Sequence, residues 1–126
     1  MRCESTNSDI GIRYYAMTQQ RRKTQDYPEL YTALVRLHIL HHAAEGELFG
    51  LGIIEELGRH GYRLSPGTLY PILHGMEKNS LLRSRSTRGE GGRSRRMYSA
   101  TANGRRVLKD AKDKVRELFG ELFEED

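Results

Sequence analysis

The chain has 126 residues, a formal net charge of +4, 37% hydrophobic residues and one cysteine, Cys3. That length supports one core with extensions, a lone cysteine excludes a disulfide framework and a cysteine-built zinc site, and no apolar run approaches the roughly 20 residues of a membrane helix. The expectation is therefore a soluble, cytoplasmic protein with no membrane partner.

The charge is local. Residues 83–96 hold six arginines against one acid, Glu90, whereas five acids and no base follow Arg116. Such a distribution suits one surface that meets a polyanion. A helical chain this polar is also short of core, so burial against a second copy is expected.

Residues 1–27 form an N-terminal extension that contains Ile10, Ile12, Tyr14, Tyr15 and Met17 but shows no sustained period. Three readings stay open there: a loosely ordered tail, a basic arm through Arg21, Arg22 and Lys23 that reaches DNA, and a segment folded over a dimer partner. Met17 is also an alternative start.

From Pro28 to about Ala44 the pattern is helical. Pro28 suits a first turn, Leu30, Leu34, Leu37 and His41 share a face, and Ala33, Leu40 and Ala44 lie beside it, a stripe wider than one contact requires. Gly46 is placed to end this helix. His38 and His42 stand four apart with Glu45 behind, a spacing that can put two imidazoles on one metal; with no third ligand evident and no HExxH pattern, they read as partly buried histidines and no metal is expected.

Residues 47–61 contain a second helix with Ile53, Ile54 and Leu57 inward, ended by Gly61. A brief connection leads to Ser65, an N-cap, followed by Pro66 in the first turn. Leu69, Ile72, Leu73 and Met76 then mark the buried face of a third helix, leaving Thr68, Tyr70, Pro71, His74 and Lys78 outside. Pro71 calls for a kink or a later start, and a kinked helix from about Ser65 is the expectation. The second and third helices make a helix-turn-helix.

Residues 82–88 and 93–100 flank GEGG, which predicts a hairpin presenting Arg85, Arg88, Arg93, Arg95 and Arg96, with a disordered basic segment as the alternative. Thr101 reads as the N-cap of the last helix. Leu108, Ala111, Val115, Leu118 and Leu122 step by three and four along it, with Val107, Phe119 and Phe123 widening the seam. This is a dimerisation element, and with Leu34 and Leu37 it gives the expected dimer interface; packing only within its own chain is the alternative.

The resulting fold class is mainly α with a small β-hairpin: a winged helix-turn-helix over 28–100, framed by N- and C-terminal dimerisation helices, the latter over 101–126. At this point LSPGTLYPILHGMEK (64–78) and GGRSRRMYSATANGRRVL (91–108) resemble the PadR family of bacterial winged-helix transcriptional regulators, over about residues 30–122. The resemblance implies a DNA-binding homodimer built from the first and last helices, commonly a repressor that responds to a small-molecule effector. The single last helix is similar to the subgroup with a short C-terminus. Phe49, Gly50 and Leu51 depart from the family's usual pattern at the second helix, Gly75 replaces a frequent arginine, and the absence of tryptophan argues against an aromatic multidrug pocket.

The expected function is sequence-specific binding of double-stranded DNA at a pseudo-palindromic operator. Ser65, Thr68, Tyr70, His74 and Lys78 of the recognition helix, with the wing arginines 85, 88, 93, 95 and 96, are the candidate DNA contacts. The alternative is a winged-helix protein-interaction module that uses its arginines for acidic partners. No nucleophile, base and orienter can be assembled and no phosphate loop is present, so neither an enzyme nor a cofactor is expected.

Overall fold

A computed structural model describes residues 23–124, the side chain of Glu90 excepted, and the readings of the first 22 residues lie outside it. The chain divides into two compact units, residues 1–34 and 35–126. In the first, Thr24–Asp26 makes one turn of 3-10 helix, and the Lys23 backbone N–H donates to the Asp26 carboxylate at 2.9 Å. Pro28 opens helix α1 (Pro28–Glu45). The Thr32 hydroxyl donates back to the Pro28 carbonyl at 2.7 Å.

The second unit takes up α1 at Val35 and adds β1 (Leu48–Phe49), α2 (Gly50–Arg59), α3 (Pro66–Lys78), β2 (Leu82–Arg88), β3 (Ser94–Ala100) and α4 (Ala102–Leu122). The strands form one antiparallel sheet in the order β1-β3-β2. This is a winged helix-turn-helix. The hairpin forms as the glycine-flanked runs predict, with Leu82 opposite Ala100 and Arg88 opposite Ser94, and a 3-10 turn at Glu90–Gly92 reverses it through Gly91 and Gly92 at positive φ.

Two readings are refined by the structure. Residues 48 and 49 are not helical; they pair with Tyr98 and Met97 of β3, and a two-residue strand is too short to show a period. The core side of α1 is Val35, Ile39, Leu40 and Ala43, not the face through Leu30 and Leu34, which are 57% and 39% exposed. The stripe is broad enough for two faces, and the domain uses only one of them. As Ser65 and Pro66 predict, α3 starts at Pro66, and Pro71 lies inside it. The carbonyl that loses its partner belongs to Gly67, which is exposed, so water can take the missing bond.

The helix ends are built locally. The Ser65 hydroxyl accepts from the Thr68 N–H, and the Thr101 hydroxyl accepts from the Gly104 N–H at 2.8 Å. Helices α2 and α3 both close with the same paired bonds: Gly61 to Gly58 and Tyr62 to Leu57 in one, Ser80 to Glu77 and Leu81 to Met76 in the other. This geometry puts the residue after the cap in the left-handed region. Gly61 meets it at φ +90 without cost, whereas Ser80 occupies it at φ +64 as a non-glycine residue.

The core gathers Val35, Ile39, Leu40 and Ala43 of α1, Ile53 and Leu57 of α2, the buried face of α3, and Leu82, Tyr98 and Ala100 of the sheet. Each fully buried aliphatic side chain contributes about 1.5–3 kcal/mol. Leu108 joins this core at 8% exposure. It was expected in the outward dimer seam, but the first turns of α4 are held against the chain itself. The Thr101 hydroxyl donates to the Ser80 carbonyl at 2.5 Å, and the Arg105 guanidinium reaches the Ala44 carbonyl at the C-terminus of α1 at 2.9 Å. Gly104 is buried there, and a methyl group on it would overlap the Leu81 carbonyl oxygen.

Two glycines therefore should respond in opposite ways. Gly104→Ala is expected to destabilise the fold by about 1–3 kcal/mol, since backbone has to move. Gly75→Ala, mid-helix with nothing within 4 Å of the new methyl, should stabilise it by about 1 kcal/mol. Urea denaturation of both variants measures the signs.

Candidate nucleic-acid interface

Helix α3 buries Leu69, Ile72, Leu73 and Met76 and turns its other side outward. Ser65, Thr68, Tyr70, His74 and Lys78 are all on the exposed side. They are not equivalent. His74 and Lys78 have no hydrogen-bonding or ionic partner among the described residues, and Thr68 touches only Ser65, at 3.3 Å between hydroxyls. Tyr70 leans on α2: its hydroxyl occupies the space where Gly50 would carry a side chain, and Gly50 is buried. Tyr70 thus fits the second helix to the third, and Gly50 is the residue that admits it.

The wing arginines separate by the face of the sheet they occupy. Register puts Leu82, Ser84, Ser86 and Arg88 on the same face as Arg96, Tyr98 and Ala100, the side that covers the core. There the Ser84 hydroxyl donates to the Glu77 carboxylate at 2.7 Å and accepts from Arg96 at 2.9 Å. That chain of bonds fixes the hairpin to the last turn of α3. Tyr98 is fully buried beside it, its hydroxyl without a partner, and burial above all pushes the phenol's pKa up. It therefore stays neutral.

The opposite face carries Arg83, Arg85, Arg95 and Met97. Arg85 makes a two-pronged pair with Glu47, Nε to Oε2 at 2.6 Å and Nη2 to Oε1 at 2.7 Å. This bond holds the Glu47 carboxyl below its ordinary pKa. Because β3 lies between β1 and β2, the pair reaches across the central strand. Arg95 stacks on the Phe49 ring with its guanidinium carbon 4.5 Å from the centroid, a cation–π arrangement.

Of the five predicted wing arginines, then, Arg85, Arg95 and Arg96 are held by the protein. Arg88 and Arg93, which flank the glycine turn, have no side-chain partner among the described residues. Glu47, Phe49, Glu77 and Ser84 are the residues that sequence reading missed as positioning groups. Each acts through a partner distant along the chain, so periodicity carries no sign of them.

On the rest of α4 the predicted seam stands outward. Val115, Leu118, Phe119, Leu122 and Phe123 are 46–65% exposed, and the Phe119 and Phe123 rings lie 4.7 Å apart between centroids. Ala111 is half-buried where this face begins to leave the domain. Leu37 of α1 is likewise half-buried. These side chains make an apolar strip along the outward side of α4.

Comparison with known proteins agrees with this geometry. Residues 39–110 match the family described as transcriptional regulator PadR-like. The chain is 51% identical over 95 residues to the transcriptional regulator Rv3488 of Mycobacterium tuberculosis, covering 75% of this chain and 88% of that protein. A PadR family transcriptional regulator from Eggerthella lenta superposes with a TM-score of 0.68 at 25% identity, over 91% of this chain and 99% of that one. A PadR-like regulator from Bacillus cereus does so at 0.66 and 24%, over 78% and 99%. The described residues include no helix long and apolar enough to cross a membrane. The chain belongs to the PadR-like family of transcriptional regulators.

Proposed function

We propose that the protein is a sequence-specific DNA-binding repressor that acts in the bacterial cytoplasm as a homodimer. The observation that carries this reading is the pairing of an exposed polar face on α3 with Arg88 and Arg93 at the wing tip, which have no side-chain partner among the described residues. A helix whose apolar face is buried in its own domain, and whose other face offers Thr68, His74 and Lys78, fits a major groove. Arg88 and Arg93 supply phosphate or minor-groove contacts, which add affinity without much sequence preference. Arg85, Arg95 and Arg96 act by holding the hairpin in place. Dimerisation through the exposed faces of α1 and α4 would set two recognition helices about 34 Å apart and call for a pseudo-palindromic operator.

The test is fluorescence anisotropy with the protein's own upstream intergenic DNA against a scrambled duplex, from about 50 to 200 mM salt. Steeply salt-dependent binding that favours the native duplex at two chains per site supports the reading. Equal, weak binding to both would turn attention to a protein partner. Arg88→Ala with Arg93→Ala is expected to weaken binding to both duplexes similarly and to lower the salt slope by about 2, while Lys78→Ala lowers it by about 1. Separately, Phe119→Glu should convert the dimer to monomer in sedimentation velocity, because a carboxylate cannot be buried unpaired in an apolar seam. Its half-site affinity should survive at the level of a single domain.

A further inference from the structure

Outside the α3 and wing surface lies a cluster of imidazoles that the DNA-binding reading leaves unused. His38 and His42 stand one turn apart on α1, while Glu56 lies on α2 and His60 caps that helix. One ring nitrogen from each histidine lies within 4.8 Å of the other two. The His60 ring is 4.9 Å from His38 and 5.5 Å from His42 between centroids. Glu56 Oε2 approaches Nε2 of His42 at 3.6 Å and of His60 at 3.3 Å. The His42 Nε2 is buried and makes no hydrogen bond. An orphaned buried nitrogen that faces two imidazoles and a carboxylate is costly unless something binds it.

We propose that His38, His42, His60 and Glu56 form a site for one divalent transition-metal cation of the zinc class. The three imidazoles offer nitrogens within 4.8 Å of one another and Glu56 stands beside two of them as a fourth donor, while a tetrahedral ion with bonds of about 2.0–2.1 Å needs donors roughly 3.4 Å apart, so the rings close by about an ångström on binding. Nitrogen donors in the majority favour zinc-like cations over magnesium or calcium, which take oxygen. The remaining atoms are already placed to support the ligands. Glu56 Oε1 accepts from Arg59 at 2.6 Å, leaving Oε2 for the ion. The other His42 nitrogen, Nδ1, faces Glu45 Oε1 at 3.7 Å, on the side of the ring away from Glu56.

The ligand that sequence spacing lacked is thus His60, delivered by α2. A bound ion would tie the last turn of α2 to α1. That turn leads through Gly61 to Ser65, so occupancy would bear on how α3 is presented; this consequence alone rests on the DNA-binding reading.

The experiment is isothermal titration of the full chain with Zn²⁺ after chelator treatment, together with visible absorption of the Co²⁺-loaded protein. One ion per chain and the intense bands of four-coordinate Co²⁺ are expected. His42→Ala and His60→Gln should each weaken Zn²⁺ binding by at least about 10-fold, and His41→Ala should leave it unchanged. Should His42→Ala fail to fold by circular dichroism, His60→Gln at a 40% exposed helix cap decides the matter. Absent binding, or binding untouched by His60→Gln, would overturn the site. Anisotropy with operator DNA, with and without Zn²⁺, keeps the two readings apart: Zn²⁺ binding without any DNA binding would remove the regulatory consequence and leave the cation site standing.

Discussion

The fold depends on one constraint: α3 has to bury Leu69, Ile72, Leu73 and Met76 while keeping its other side in water. Everything around the helix serves that division. Tyr98 and Leu82 close the sheet side of the core, Ile53 and Leu57 close the α2 side, and Tyr70 over Gly50 fits the two helices together. The Ser84 link between Glu77 and Arg96 then fixes the wing to the end of the same helix. Helix and wing are therefore one rigid presentation within the second unit, and a contact made by one constrains the other.

The arginine-rich hairpin shows how local charge and usable charge differ. By composition the six arginines of 83–96 are alike. In the fold some are spent on architecture: Arg85 anchors β2 to Glu47, Arg95 rides on Phe49, and Arg96 holds Ser84. Ordering long side chains in this way lowers the freedom of the hairpin before any ligand arrives, which is a form of preorganisation. Arg83, Arg88 and Arg93 have no hydrogen-bonded partner among the described residues, and the last two stand next to the turn.

Much of this was legible in the sequence because the signals are local. Ser65 with Pro66 announces a helix start, Thr101 announces another, and GEGG between alternating runs announces the hairpin; in each case the physics is settled within four residues. The buried face of α3 follows from its period. What could not be read depends on pairs far apart in the chain. Strand β1 exists only because β3 offers it an edge, and Glu47 finds Arg85 from 38 positions away. The broad stripe of α1 gave no means of choosing which half faces inward. His60 was invisible as a companion to His38 and His42 for the same reason, since its proximity is created by the crossing of two helices.

The strand order has a further effect. With β3 in the centre and β1 only two residues long, β2 is the long strand left with an open side. An open strand of serines and small residues would be a template for another chain. Here Arg83 and Arg88 belong to it, so a second copy pairing along this strand would meet like charge. The residues that give the wing its charge thereby guard the edge of its sheet against pairing with another strand.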